Sequence, residues 1–194
     1  MKIVAIKFNT NKLRTLISFV FSKIFNKVNL FIFPNLEKKR FDYNFKLKKN
    51  DVLIKTLLCG YCGTDKKILT YNFSLLSSAF LDTKKHKSKS IYFGHEIVGR
   101  VFQKGKGVKN LKINDKVILD SANRNPIYQK GNLFGGFSNF FVRNKNQLEI
   151  IDNKITNEKA ILIEPMACCF GSIKKKKINK GDNILIIGAG IIGQ

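Results

Sequence analysis

Two short stretches carry the residue types that can do chemistry: Cys59-Gly60-Tyr61-Cys62-Gly63-Thr64-Asp65 and Gly94-His95-Glu96. Together they offer a thiolate, an imidazole and carboxylates, the donors that hold a catalytic zinc ion while leaving one position open for substrate or water. Glu164, followed by Pro165, adds another carboxylate. Near the end of the sequence, Gly188-Ala189-Gly190-Ile191-Ile192-Gly193 has the G-x-G-x-x-G spacing. Glycines spaced in this way let a backbone approach a pyrophosphate seated at a helix N-terminus. Each piece also has a plainer reading. A strand, C-x-x-C and a helix is equally the layout of a thiol–disulfide redox pair, here Cys59 and Cys62. That reading explains neither His95-Glu96 nor the glycine turn. His95 is one of two histidines, and its plain reading is a core histidine; the flanking glycine and glutamate favour a ligand. His86 sits in a lysine-rich stretch and reads as solvated. Cys59 reads as a buried strand residue, and Cys168 and Cys169 as core residues of a helix.

The elements that must position these groups follow from the pattern. Asp51 to Leu58 is a strand running directly into the Cys turn, where Gly60 and Gly63 permit a tight backbone. Asp65 to Tyr71 starts a helix, with Thr64 or Asp65 as its cap. Residues 72–90 read as a surface loop, and Ile91 onward returns to strand character across Gly94-His95-Glu96. Gly105-Lys106-Gly107 and Asn114-Asp115 are turn signals framing Val108 to Ile113. Lys116 to Leu119 and Phe137 to Val142 are further short strands, joined by a polar loop over 120–136. Many short strands with glycine turns make a β-barrel-like domain. Met1 to Phe8 is a first strand. After it, Leu13, Ile17, Val20, Ile24 and Val28 repeat at helical spacing, giving an amphipathic helix that ends before Pro34. Its basic, aromatic character would suit a membrane surface, but packing on the body of the protein or on another subunit is the favoured reading. From Glu164-Pro165 an apolar stretch to Ile173 is helical. Gly181-Asp182 then turns the chain into Asn183 to Ile187, a continuous apolar strand of the buried parallel type that delivers the glycine turn.

Composition narrows the classes. The 44% hydrophobic content of these 194 residues excludes a disordered protein. A formal net charge of +23 raises nucleic acid, an anionic membrane or an anionic substrate as partners. The basic residues are scattered, however, and only Lys174 to Lys177 form a run, which reads as a solvated face. No nucleic-acid motif accompanies them, so no nucleic-acid partner is expected. Four cysteines, two of them adjacent, make no disulfide framework and fit a reducing cytoplasm. Thr15 to Phe33 is long enough to span a bilayer, but Lys23, Asn26, Lys27 and Asn29 interrupt it, so no transmembrane segment is expected.

With the motifs in this order, the chain resembles the N-terminal part of a zinc-containing medium-chain alcohol or polyol dehydrogenase. The matching stretches are LLCGYCGTD, YFGHEIVGRVFQKGKGVKNLKINDKVI, GGFSNFFV, EPMACC and GDNILIIGAGIIG. They cover most of Asp51 to Gln194, and nothing is carried over onto residues 9–40. The resemblance implies a mixed α/β fold. A GroES-like β-barrel catalytic domain would occupy residues 1–170, with an unusual amphipathic insert near 11–33. The first strand and turn of a truncated Rossmann domain would follow over 171–194. It implies one catalytic zinc, with Cys62, His95, Glu96 and Glu164 as ligands or exchangeable ligands, and NAD or NADP bound at Gly188, Gly190 and Gly193. Thr64 matches the hydroxyl that passes the substrate proton outward. Asp65 matches the partner that orients the ligand histidine. Glu96 counts with Thr64 and Asp65 among the catalytic groups. A small alcohol or polyol substrate and a homo-oligomer are expected of the full-length protein. Many relatives hold a structural zinc on four cysteines after the region of Lys116-Val117-Ile118. Residues 120–136 contain no cysteine, so that second zinc is expected to be missing. With most of the cofactor domain lacking, the chain reads as an N-terminal fragment inactive alone. The rivals are the Cys59–Cys62 redox protein and a basic module binding nucleic acid or an anionic surface.

Overall fold

The computed structural model describes residues 1–9, 17, 20, 36–44, 46–69, 90–120, 135–176 and 178–194. The expected amphipathic helix and the loops at 72–89 and 121–134 lie outside these residues, apart from Ile17 and Val20.

Two antiparallel sheets make the body. The smaller has the order β2-β1-β4, from β1 (Lys2–Asn9), β2 (Leu36–Asp42) and β4 (Ser90–Tyr92). The larger has the order β7-β3-β5-β6-β8, from β3 (Asp51–Cys59), β5 (Ile97–Lys104), β6 (Lys116–Leu119), β7 (Phe140–Asn144) and β8 (Leu148–Ile150). The backbone of β1 joins them, because Ile6 N–H donates to Phe137 C=O at 2.9 Å and Asn139 N–H to Val4 C=O at 3.1 Å. In β3 the consecutive residues Val52, Leu53 and Ile54 are all buried. Both faces of this strand are therefore covered, which is why its sequence reads as a continuous apolar run rather than an alternation. Val101, Phe141, Val142 and Leu111 close the core around it. Gly99 sits where β5 passes close to β3: a Cβ there would overlap Ile54 Cγ2 and lie 2.9 Å from the Lys55 carbonyl oxygen.

Helix α1 (Gly63–Leu69) follows the Cys turn directly. It starts one residue ahead of Thr64, so neither Thr64 nor Asp65 is its cap; Asp65 lies inside the first turn. Thr156 caps the short α2 (Asn157–Ala160), accepting the Lys159 N–H at 3.3 Å. Helix α3 (Ile163–Lys176) begins ahead of Pro165, which its first turn tolerates. It ends on Lys174, Lys175 and Lys176, cations placed well for the helix dipole.

The structure departs from the sequence reading in several places. Strand β7 begins at Phe140 rather than Phe137, because Phe137 C=O and Asn139 N–H bond to β1, while Asn139 C=O accepts Thr56 N–H of β3. Strands β2 and β8 were not expected. Cys168 is exposed and Cys169 only half-buried, and Phe170 on the same helix is 66% exposed; they are not core residues, since no described element covers that face. Asn183 to Ile187 forms no ladder, and Leu185 and Ile187 are 84% and 91% exposed. A parallel strand needs hydrogen-bonded neighbours and covering helices, and the described residues provide neither. The Gly181 turn is present, with φ of 98°. Among the described residues, no helix is long and apolar enough to cross a membrane.

Candidate metal centre

The centre is built where β3 leaves the sheet beside the entry of β5. Cys59 pairs with Ile97, and the ladder runs one step further, with Gly60 N–H donating to Glu96 C=O at 2.9 Å. The Cys turn therefore begins alongside His95 and Glu96. Gly94 turns the chain into His95 with φ of 86°, a left-handed conformation that favours glycine. Gly136 N–H braces this turn by donating to Gly94 C=O at 2.9 Å. The side chain of Cys59 fills the space between these glycines: a Cβ would lie 2.6 Å from its Sγ at Gly94 and 2.5 Å at Gly136.

Cys62, His95 and Glu96 each bring a ligand atom to one spot, all within 4.8 Å of one another. Donors around a tetrahedral zinc stand roughly 3.5 Å apart, given bond lengths of about 2.0–2.3 Å, so the three sites fit a shared ion. His95 and Glu96 are buried and Cys62 is half-buried. The electrostatics point the same way. Burial pushes the Cys62 thiol up, while the Thr64 backbone and hydroxyl oppose the shift. Burial also raises the Glu96 carboxyl, against its hydrogen bond with Cys62 and the attraction of His95; Glu164 and Asp65 add like-charge repulsion. Desolvated anionic donors gathered in this way are compensated by a divalent cation, which displaces their protons. The donor set thus fits zinc.

The other candidate residues surround this trio. Thr64 N–H donates to Cys62 Sγ at 3.5 Å, and the Cys62 thiol donates to Thr64 Oγ1 at 3.7 Å. The buried Asp65 carboxylate accepts Cys62 N–H at 3.1 Å and Gly94 N–H at 3.4 Å. It thereby ties together the backbone segments that present Cys62 and His95, and it attracts His95 across the site. Glu164 is buried in the first turn of α3, close enough to raise the Glu96 carboxyl. It does not belong to the trio whose donors lie within 4.8 Å. Cys168 follows one helical turn later and its thiol donates to Glu164 Oε1 at 3.8 Å. Its i, i+4 spacing from Glu164 is the sequence signal for that contact. Tyr61, 57% exposed, stacks on Phe137 with ring centroids 6.3 Å apart; no spacing announced this pair. His86 lies outside the described residues.

The thiol–disulfide reading fits Cys59 poorly, because its Sγ is packed against Gly94 and Gly136. Burial, then Asp65 and Glu96, push Cys59 up to about 12, whereas such chemistry needs a low thiol pKa. At the far end, Gly188 has φ of 107°, and a Cβ on Gly193 would overlap the Gly188 carbonyl oxygen. Gly190 has open space around it. The first and last glycines are thus demanded by the turn itself.

The model of the alcohol dehydrogenase GroES-like domain matches residues 48–152. D-arabinitol dehydrogenase 1 of Uromyces fabae is 28% identical over 160 residues, covering 74% of this chain and 42% of that protein. The (R,R)-butanediol dehydrogenase of Bacillus subtilis is 27% identical over 171 residues, covering 76% and 46%. Among solved structures, 2R,3R-butanediol dehydrogenase from Bacillus subtilis superposes with a TM-score of 0.66 at 19% identity, over 98% of this chain and 52% of that one. Galactitol-1-phosphate dehydrogenase from Escherichia coli gives 0.65 at 19% identity, over 100% and 50%. These structures share the fold. The chain spans less than half the length of the two curated relatives.

Proposed function

This chain belongs to the alcohol dehydrogenase GroES-like domain family, and from that premise we propose that it is the catalytic portion of a zinc-dependent oxidoreductase. The whole protein would transfer hydride between an alcohol or polyol and NAD or NADP. The observation that carries this reading is the convergence of Cys62, His95 and Glu96 within 4.8 Å. The relatives' names, a D-arabinitol dehydrogenase and an (R,R)-butanediol dehydrogenase, support the substrate class.

When bound, zinc supplies Lewis-acid chemistry at the substrate oxygen, and the nicotinamide supplies the hydride acceptor. The protein's own groups do the rest. Cys62, His95 and Glu96 hold the ion, and Glu164 stands by as an exchangeable carboxylate. Thr64, whose hydroxyl meets Cys62 Sγ, takes the substrate hydroxyl proton outward. Asp65 fixes the two backbone segments that carry the ligands. Gly188, Gly190 and Gly193 receive the pyrophosphate. In domain terms, residues 1–170 form the catalytic domain and 171–194 open the nucleotide-binding domain. A cytoplasmic homo-oligomer is the setting we infer for the whole protein, in keeping with four free cysteines.

Metal content tests the reading. The purified chain is expected to hold one zinc, lost in Cys62→Ser; a chain that takes up no zinc, or a Cys62→Ser variant with full content, would overturn it. A protein joining this chain to a complete cofactor domain is expected to reduce NAD or NADP with a pentitol or vicinal diol. Zinc-loaded protein inert toward both substrates would overturn the substrate class.

A further inference from the structure

Glycine at position 60 is not required by its backbone. The positive-φ glycines among the described residues are Gly94, Gly181 and Gly188, so a side chain at 60 would meet no conformational penalty of that kind. Space is what forbids it. A Cβ built on Gly60 would overlap Glu96 Oε2, with Glu96 Cβ and Cδ at 3.0 and 3.2 Å. The three nearest atoms all belong to one side chain, that of the residue directly across the ladder. Opposed residues ordinarily stand side by side with their Cβ atoms about 4.5–5.5 Å apart. Here one member has no side chain, and the carboxylate of the other folds back over its backbone. That fold brings Glu96 to Cys62, with which it shares a hydrogen bond. Gly63, the first residue of α1, meets nothing among the described residues within 4 Å of a built Cβ apart from its chain neighbours and its own helix backbone. The two glycines therefore differ in kind.

We propose that Gly60 is a positioning residue for the metal centre: the space of its missing side chain is the seat of the Glu96 carboxylate. The proposal rests on the zinc reading above. A methyl group at 60 would unseat Glu96, while the ladder bond from Gly60 N–H to Glu96 C=O would persist. The effect should reach the metal through Glu96 alone.

Competition with a chromophoric chelator gives zinc affinity, and the visible absorption of the cobalt-loaded chain reports ligand geometry. Gly60→Ala is expected to weaken zinc by about 10–100-fold, the usual cost of disturbing a ligand's support, and to alter the cobalt spectrum. Gly63→Ala is expected to match the wild type in both. In a Glu96→Ala background, Gly60→Ala is expected to cause no further loss. Two results would overturn the proposal while leaving the zinc reading intact: wild-type affinity in Gly60→Ala, or an equal further loss when Glu96 is already alanine. A wild-type chain that binds no zinc would defeat the zinc reading and the proposal with it. If Gly60→Ala fails to fold, the double variant decides. Folding like Glu96→Ala supports the steric pairing, and failing alike overturns it.

Discussion

Replacing Asp65 with alanine removes the acceptor for two backbone donors, the N–H groups of Cys62 at 3.1 Å and Gly94 at 3.4 Å. A hydrogen bond to a charged group contributes about 1.5–3 kcal/mol. The shorter bond is assigned about 2 kcal/mol on that scale, and the longer only about 1 kcal/mol, the value of an ordinary neutral bond. The acid's place in the first turn of α1 adds roughly 0.5 kcal/mol. Burial works against these gains, since it raises the Asp65 carboxyl. The balance is a loss of about 2–3 kcal/mol for Asp65→Ala. Asp65→Asn keeps one acceptor oxygen, turns an amide donor toward another donor and loses the charge beside His95. It should lose about half as much, roughly 1–1.5 kcal/mol. Urea denaturation with a metal chelator present measures this through the midpoint at unchanged slope. Because the tethered groups present Cys62 and His95, zinc affinity should fall as well, by about 10–100-fold. An Asp65→Ala variant within about 0.5 kcal/mol of the wild type, with zinc affinity intact, would refute the claim that this carboxylate holds the ligand-bearing segments.

Three further outcomes follow from the packing. At neutral pH an aromatic disulfide reagent should label the exposed Cys168 promptly and the half-buried Cys59 far more slowly until the protein is unfolded; labelling of Cys59 as fast as Cys168 would contradict the packing of its Sγ between Gly94 and Gly136. The raised Cys59 thiol also has a pH signature: its contribution is fully present below the ordinary thiol value of 9.0 and is lost as pH rises toward about 12. Stability compared between pH 8 and 10.5 should fall less steeply in Cys59→Ala than in the wild type, and parallel slopes would contradict this. Gly99→Ala forces a methyl against Ile54 Cγ2 and should cost about 1–3 kcal/mol in denaturation; an unchanged midpoint would show that β3 and β5 can separate without loss.

The positions most legible in the sequence were those whose chemistry and local pattern coincide. Val52-Leu53-Ile54 is an apolar run buried on both faces, and it leads straight to Cys62. Gly94, His95 and Glu96 stand one beside the next, so their proximity needed no tertiary information. Strand β2 was hidden because an edge strand paired on one side, with Lys38, Lys39 and Arg40 exposed, shows no apolar alternation. Strand β8 was hidden by its three-residue length. The helical spacing from Glu164 to Cys168 was visible, yet which face of α3 is covered depends on partners rather than on the helix. The reason for glycine at 60 was not legible at all. It lies in a side chain 36 positions later in the sequence, brought opposite only by the β3–β5 register.

X-ray absorption at the zinc edge of the zinc-loaded chain tests the central claim most directly. Cys62, His95 and Glu96 predict one sulfur ligand among nitrogen and oxygen donors, with the sulfur contribution vanishing in Cys62→Ser. Two or more sulfurs on the metal would place Cys59 or Cys168 in the coordination sphere, and a sulfur signal that survived Cys62→Ser would remove Cys62 from it. Either result would contradict the centre described by these residues.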